Sequence, residues 1–164
     1  MDKMEKIAIA LAGGLVTTFF GAVLIASTQY NVGVPTCVTT LPPFKESKII
    51  EGKNKKIEVH AIAKMWAFDM GDTNIGELRV PEGAEVNFFL VSTDVVHGFH
   101  IEGTNVNMMA IPGAVNNLKA RFDKAGNYTI ICHEYCGVQH QAMAGMVKVM
   151  TNAEYQKAMQ EEAQ

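Results

Sequence analysis

The spacing of apolar positions changes twice along the chain and divides it. From Ile7 to Phe44 there is no Asp, Glu, Lys or Arg, and Ile7 to Ala26 is nearly all apolar, matching the ~20 residues a helix needs to cross a bilayer. Residues 1–28 therefore read as an N-terminal tail and a single membrane anchor. The alternative is a cleaved secretory signal, but such an apolar region usually runs only ~7–15 residues before a small-residue cleavage site, and Ala26-Ser27-Thr28 is a weak one. Lys3 and Lys6 precede the span and no basic residue follows until Lys45. That asymmetry predicts an N-terminus in the cytoplasm and the remainder outside.

Residues 29–56 hold Pro35, Pro42 and Pro43 among Thr and Gly, a composition that suits a linker lifting a domain off the membrane. A soluble piece would then start near Lys45. From Ile57 the period becomes two: Ile57, Val59, Ala61, Ala63 and Met65 alternate with mostly polar neighbours, as in a half-buried strand. Further strand-like runs are 76–80, 85–92, 99–102, 105–111, 115–122, 127–132 and 145–150, separated by turns at Pro81-Glu82-Gly83, Pro112-Gly113 and Lys124-Ala125-Gly126. Many short strands so spaced predict an all-β sandwich or barrel over 57–150. In 151–164 the pattern turns helical, with a capping box at Thr151 and Glu154 followed by Tyr155, Ala158 and Met159, so a short terminal helix is expected.

At 164 residues the chain has room for one ordinary core plus an appendage. A net charge of −3 with scattered Lys and Arg excludes the basic footprint of a nucleic-acid binder. An outside location permits disulfides. Of the three cysteines, Cys37 stands alone in the linker and reads as a free thiol, while Cys132 and Cys136 share a loop.

That loop carries the chemistry. In Cys132-His133-Glu134-Tyr135-Cys136-Gly137-Val138-Gln139-His140-Gln141-Ala142-Met143, two thiols, an imidazole and a thioether fall at Cys132, Cys136, His140 and Met143. Soft sulfur with imidazole suits copper, zinc or iron–sulfur centres, and the thioether favours copper. A zinc site leaves Met143 unexplained, and a short-loop disulfide between Cys132 and Cys136 leaves His140 and Met143 unexplained. A single blue-type copper needs only one cysteine, with two histidines and a weak methionine. Two thiolates can bridge a pair of copper ions, sharing one electron over both metals, which suits electron transfer. Each copper then needs another nitrogen. His97 is the choice, in a polar turn after the strand 85–92. His100 and His133 fall on opposite faces from their neighbours His97 and Cys132 by strand alternation, and His60 has no sulfur ligand near it in sequence.

Together these segments resemble subunit II of the heme–copper cytochrome c oxidases, over the anchor and roughly 57–150. The resemblance implies a cupredoxin-like Greek-key fold and a dinuclear copper (CuA) centre. Cys132 and Cys136 would bridge the coppers, His97 and His140 would each bind one, Met143 would be a weak ligand, and Glu134 would contribute its backbone carbonyl. The run Asp94 to Asn105 and the single span look most like B-type oxidases. By the same resemblance, Trp66-Ala67-Phe68 stands where electrons enter, making Trp66 and Phe68 candidates, and Glu5 is a candidate for proton uptake at the inner membrane edge.

The implied activity is that of the subunit through which electrons pass from cytochrome c to heme in a catalytic subunit I, in a bacterial or archaeal plasma membrane. With 5 histidines and little membrane-embedded sequence, the chain itself holds no heme and reduces no oxygen. A similar subunit of a nitric oxide reductase stays open. So do a membrane-tethered single-copper carrier, in which Cys136 has no use, and a copper-delivery protein, for which the Met residues, spread through strands, look like packing instead.

Overall fold

In the computed structural model, which describes residues 2–29 and 35–162, the chain forms two compact units, 1–32 and 33–164. The first is one helix, α1 (Lys3–Gln29). Its start is closed by a reciprocal cap: the Asp2 N–H donates to Glu5 Oε2 at 3.0 Å and the Glu5 N–H to Asp2 Oδ1 at 2.8 Å. Its few hydroxyls turn back on the backbone, Thr17 to the Gly13 carbonyl at 2.6 Å and Thr18 to that of Gly14 at 2.8 Å, which leaves an apolar exterior. No described residue of α1 is buried, and the helix is long and apolar enough to cross a membrane.

The second unit is a two-sheet sandwich. One sheet has six strands in the order β1 (Thr36–Cys37), β9 (Asn116–Phe122), β6 (Ala84–Ser92), β3 (Lys56–Lys64), β2 (Lys48–Glu51), with β4 (Ala67–Asp69) also on β3. The other has five: β5 (Glu77–Pro81), β11 (Ala144–Met150), β10 (Gly126–Ile131), β7 (His97–Ile101), β8 (Asn107–Ala110). β3 with β6 and β5 with β11 are parallel; the other pairs are antiparallel. Alternation places Val59, Ala61, Val86, Phe88 and Leu90 inward from the first sheet, against Phe99, Ile101, Ile130 and Val147 from the second. The rings of Phe88 and Phe99 lie 5.7 Å apart, and Phe68 meets Phe99 edge-on at 5.2 Å. This core clamps β7 beside the end of β10, where the functional loop begins.

The described residues of the segment 29–56 are more than a plain linker. β1 and β2 lie within them and pair with β9 and β3. Between those strands Val38, Leu41 and Phe44 cover Ile62, Val91 and Val115 on the outer face of the six-stranded sheet, and Phe44 lies 4.7 Å from the His60 ring. This face is apolar because the segment covers it, so a soluble piece starting near Lys45 would expose it. At the other end α2 (Asn152–Glu162) begins at the expected cap, the Glu154 N–H donating to Thr151 Oγ1 at 3.4 Å. Its Tyr155 is buried and bonds Glu51 through its hydroxyl.

Candidate metal centre

Two segments meet at one end of the sandwich. β7 opens at His97, and the loop 132–143 joins β10 to β11. Pairing of Ile131 with His100 on one side and with Ala144 on the other fixes the loop's base beside β7. The Cys132 N–H donates to the Met143 carbonyl at 3.3 Å and closes the loop. Within it a short 3-10 turn at His140–Ala142 reverses the chain and returns Met143 to the base. Gly98 makes the close approach possible: a Cβ there would stand 2.5 Å from His133 Cγ and 2.6 Å from the His133 backbone nitrogen.

The donors converge on Cys136. Its Sγ lies 3.7 Å from Cys132 Sγ, 3.5 Å from His140 Nδ1 and 3.6 Å from Met143 Sδ. His97 Nδ1 is 3.2 Å from Met143 Sδ, and the ligand atoms of His97, Cys132 and Cys136 lie within 4.8 Å of one another. Cys132 Sγ donates to the Glu134 carbonyl at 3.3 Å, which brings that oxygen to the same cluster. Both cysteines are free thiols, and they are buried with Met143 and His97. His140 is half-buried, and the exposed Tyr135 ring meets it edge-on at 5.7 Å.

Burial, and then the neighbouring Cys132, push the Cys136 thiol up to about 11. Without a cation the Cys136 sulfur therefore stays protonated, and binding a metal there would release its proton. Asp94 behaves oppositely. Burial tends to raise its carboxyl, but hydrogen bonds from His97 and from the Met65 and Val95 N–H groups outweigh this and hold it below the usual carboxylate range. The donor set, two thiols, two imidazoles, a thioether and a carbonyl, most of them buried, fits a soft metal; zinc would leave the thioether unused.

The six residues expected at the metal, His97, Cys132, Glu134, Cys136, His140 and Met143, thus come together. His97 begins a strand; the expectation put it in the preceding turn. The other histidines have different surroundings. His100 Nδ1 donates to the Val106 carbonyl at 2.9 Å, His133 packs over Gly98, and His60 sits between Phe44 and Phe89 with Nε2 2.6 Å from Glu58. Trp66 packs beneath the loop, its Nε1 3.3 Å from where a Cβ on Gly137 would stand. Phe68, in contrast, has 0% exposure and packs edge-on against Phe99 in the core. Glu5 lies on α1, in its cap. Asp94, Gly98 and Tyr135 join the site only through the fold; Asp94, three residues before His97, is the one that local spacing could have marked.

The sandwich and the anchor also match known proteins. Residues 57–150 match the family of the cytochrome c oxidase subunit II periplasmic domain. Cytochrome c oxidase subunit 2 of Thermus thermophilus is 34% identical over 143 residues, covering 86% of this chain and 82% of that protein. That of Thermostichus vulcanus is 29% identical over 158 residues, 94% of this chain but 45% of the relative. A chain of a heme–copper terminal oxidase dimer superposes with a TM-score of 0.76 at 44% identity, covering 90% of this chain and all 100% of that one. The periplasmic domain of subunit II from Bradyrhizobium japonicum, 22% identical over 63% of this chain and 91% of its own, shares the cupredoxin-like fold at a TM-score of 0.56. With the family matched across the whole sandwich and relatives similar along most of the length, the chain belongs to the cytochrome c oxidase subunit II family.

Proposed function

We propose that this protein is the membrane-anchored subunit through which electrons enter a heme–copper oxidase of the B type, holding a dinuclear copper centre at the loop 132–143. The observation that carries it is the convergence of Cys132 Sγ, His140 Nδ1 and Met143 Sδ on the buried Cys136 sulfur, with His97 Nδ1 3.2 Å from the same Met143 Sδ. Cys132 and Cys136 would bridge two copper ions, with His97 and His140 on one each and Met143 and the Glu134 carbonyl as weak ligands. Two coppers held so would supply a one-electron couple whose charge is spread over both metals.

The chain's residues do the rest. The closed loop base keeps water from the sulfurs, and rigid strands on both sides hold the donor positions so that little has to move when charge changes. Trp66, against the loop at Gly137, offers an aromatic path from the surface, where Met65, Tyr135 and Val138 are exposed at 44%, 79% and 80%. An apolar rim of this kind suits a donor such as cytochrome c that docks by surface fit. Its partner on the other side is the heme-bearing subunit I, where oxygen is reduced. Lys3 and Lys6 before the span, with no basic residue after it until Lys45, support an inside N-terminus and a copper domain on the outer face. Glu5 at the inner edge is assigned a part in proton uptake beside its cap.

The test is electron paramagnetic resonance of the full chain in detergent, purified reduced and loaded with copper. A hyperfine pattern from one electron shared by two copper nuclei is expected. A single-nucleus pattern that persists at copper excess would overturn the dinuclear reading and favour a single-copper carrier, and rapid copper loss to a mild chelator would favour delivery.

A further inference from the structure

We propose that Asp94 is a positioning residue that holds His97 in the ring form able to bind metal and ties that ligand to the Met65–Trp66 turn. The inference rests on the copper reading above for its consequences, but not for its geometry. Asp94 lies in the turn between β6 and β7, and its two oxygens serve different segments. Oδ1 is 2.7 Å from His97 Nε2 and accepts the Val95 N–H at 2.6 Å, while Ser92 Oγ stands 3.2 Å away. Oδ2 accepts the Met65 N–H at 2.6 Å, from 29 residues earlier in the chain.

An ionised carboxylate only accepts hydrogen bonds, so its contact with Nε2 requires the proton on that nitrogen. A neutral His97 then has a bare Nδ1, the atom that faces the sulfur cluster 3.2 Å from Met143 Sδ. Such a ring is ready for metal without losing a proton, and a carboxylate behind a ligating imidazole raises its donor strength. A residue that merely shaped the turn would need only the Val95 N–H and its own N–H to Ser92 Oγ. The bonds to His97 and Met65 are additional. The second bond reaches the turn whose Trp66 lies under the loop beside Cys136, so one side chain sets the ligand and its nearest indole together.

The experiment uses the full chain in detergent. In the copper-free protein, 15N chemical shifts of labelled histidine should show His97 protonated at Nε2; a proton on Nδ1 in the unsubstituted chain would overturn the proposal without any variant. Asp94→Asn has only one acceptor oxygen. Two N–H groups, of His97 and Val95, point to Oδ1 and one faces Oδ2, so the amide oxygen should stay with His97 and the Met65 amide proton should lose its partner and move upfield. Copper-loaded Asp94→Asn should release metal to a chelator about 10- to 100-fold faster, and its reduction potential should rise because a negative charge has gone. Asp94→Ala should also mix the His97 tautomers. An Asn variant with the Met65 amide shift, release rate and potential of the parent would overturn the clamp. If the unsubstituted chain fails to take up copper, the proposed function fails, while the tautomer measurement still decides the clamp.

Discussion

Replacing Gly98 by alanine tests how tightly the loop must seat on β7. The added Cβ would lie 2.5 Å from His133 Cγ and 2.6 Å from both Nδ1 and the backbone nitrogen of the same residue, roughly 1 Å inside the ~3.5 Å of good packing. The ring can swing away, but the backbone nitrogen cannot. It is held between Cys132, whose N–H bonds the Met143 carbonyl, and the Ile131 to His100 pairing. Overpacking of this kind costs about 1–3 kcal/mol, and relief must come by lifting the 132–143 loop from β7, which separates His97 from the two thiols. Urea unfolding of the full chain in detergent should show that loss, and copper titration should show weaker uptake. Gly98→Ala combined with His133→Ala removes the ring but not the backbone clash, so it should recover part of the stability and not all. A Gly98→Ala protein with the parent's unfolding midpoint and copper uptake would refute the reasoning.

Other outcomes follow from separate parts of the molecule. Phe44→Ala uncovers His60 and Phe89 on the outer face and should lower stability by roughly 1–2 kcal/mol for a half-buried ring, with the copper spectrum unchanged; a spectral shift would mean the cover reaches the site. Burial tends to raise Asp72, but bonds from Arg79 and the Arg79 and Thr73 N–H groups outweigh it and depress its carboxyl. Its stabilisation is therefore present above the usual carboxylate range and lost as pH falls through the depressed value. Asp72→Asn should be less stable at pH 7 and flatten the acid limb of a stability-versus-pH curve; an unchanged limb would count against the pair. Trp66→Phe should slow reduction by cytochrome c while leaving the copper signal intact, and equal rates would remove Trp66 from the path. Glu5→Gln retains a capping group, so α1 should keep its helicity; turnover of the assembled oxidase with unaltered pH dependence would end the proton-uptake assignment.

Much of the fold was legible in local pattern. Period-two alternation marks β9, β11 and most of β6, which bury one face in a single core, while the ends of β3 and β6 are buried on both faces under Val38, Leu41 and Phe44; the apolar run of α1 stands out because nothing but lipid suits it. β1, β2 and β4 escaped notice for the converse reason. They are two to four residues long, lie beside prolines or glycines, and owe their pairing to the sheet edges they join. Phe68 shows the same limit: three letters of sequence made it an equal of Trp66, and only the packing on Phe99 sends one ring into the core and leaves the other under the loop.

The site divides along the same line. Cys132, Cys136, His140 and Met143 lie within one loop, so their spacing alone announced the donor chemistry. His97 could be chosen by elimination because few histidines compete for it. Which atom of His97 faces the sulfurs, why Gly98 has no side chain, and that Asp94 reaches back 29 residues to Met65 are facts of long-range approach. The chain's own order determined what the centre is made of, since ligand identity is local. Its ring orientation and support were decided in the tertiary structure, because those depend on which strand ends the packing of two sheets brings within hydrogen-bond distance.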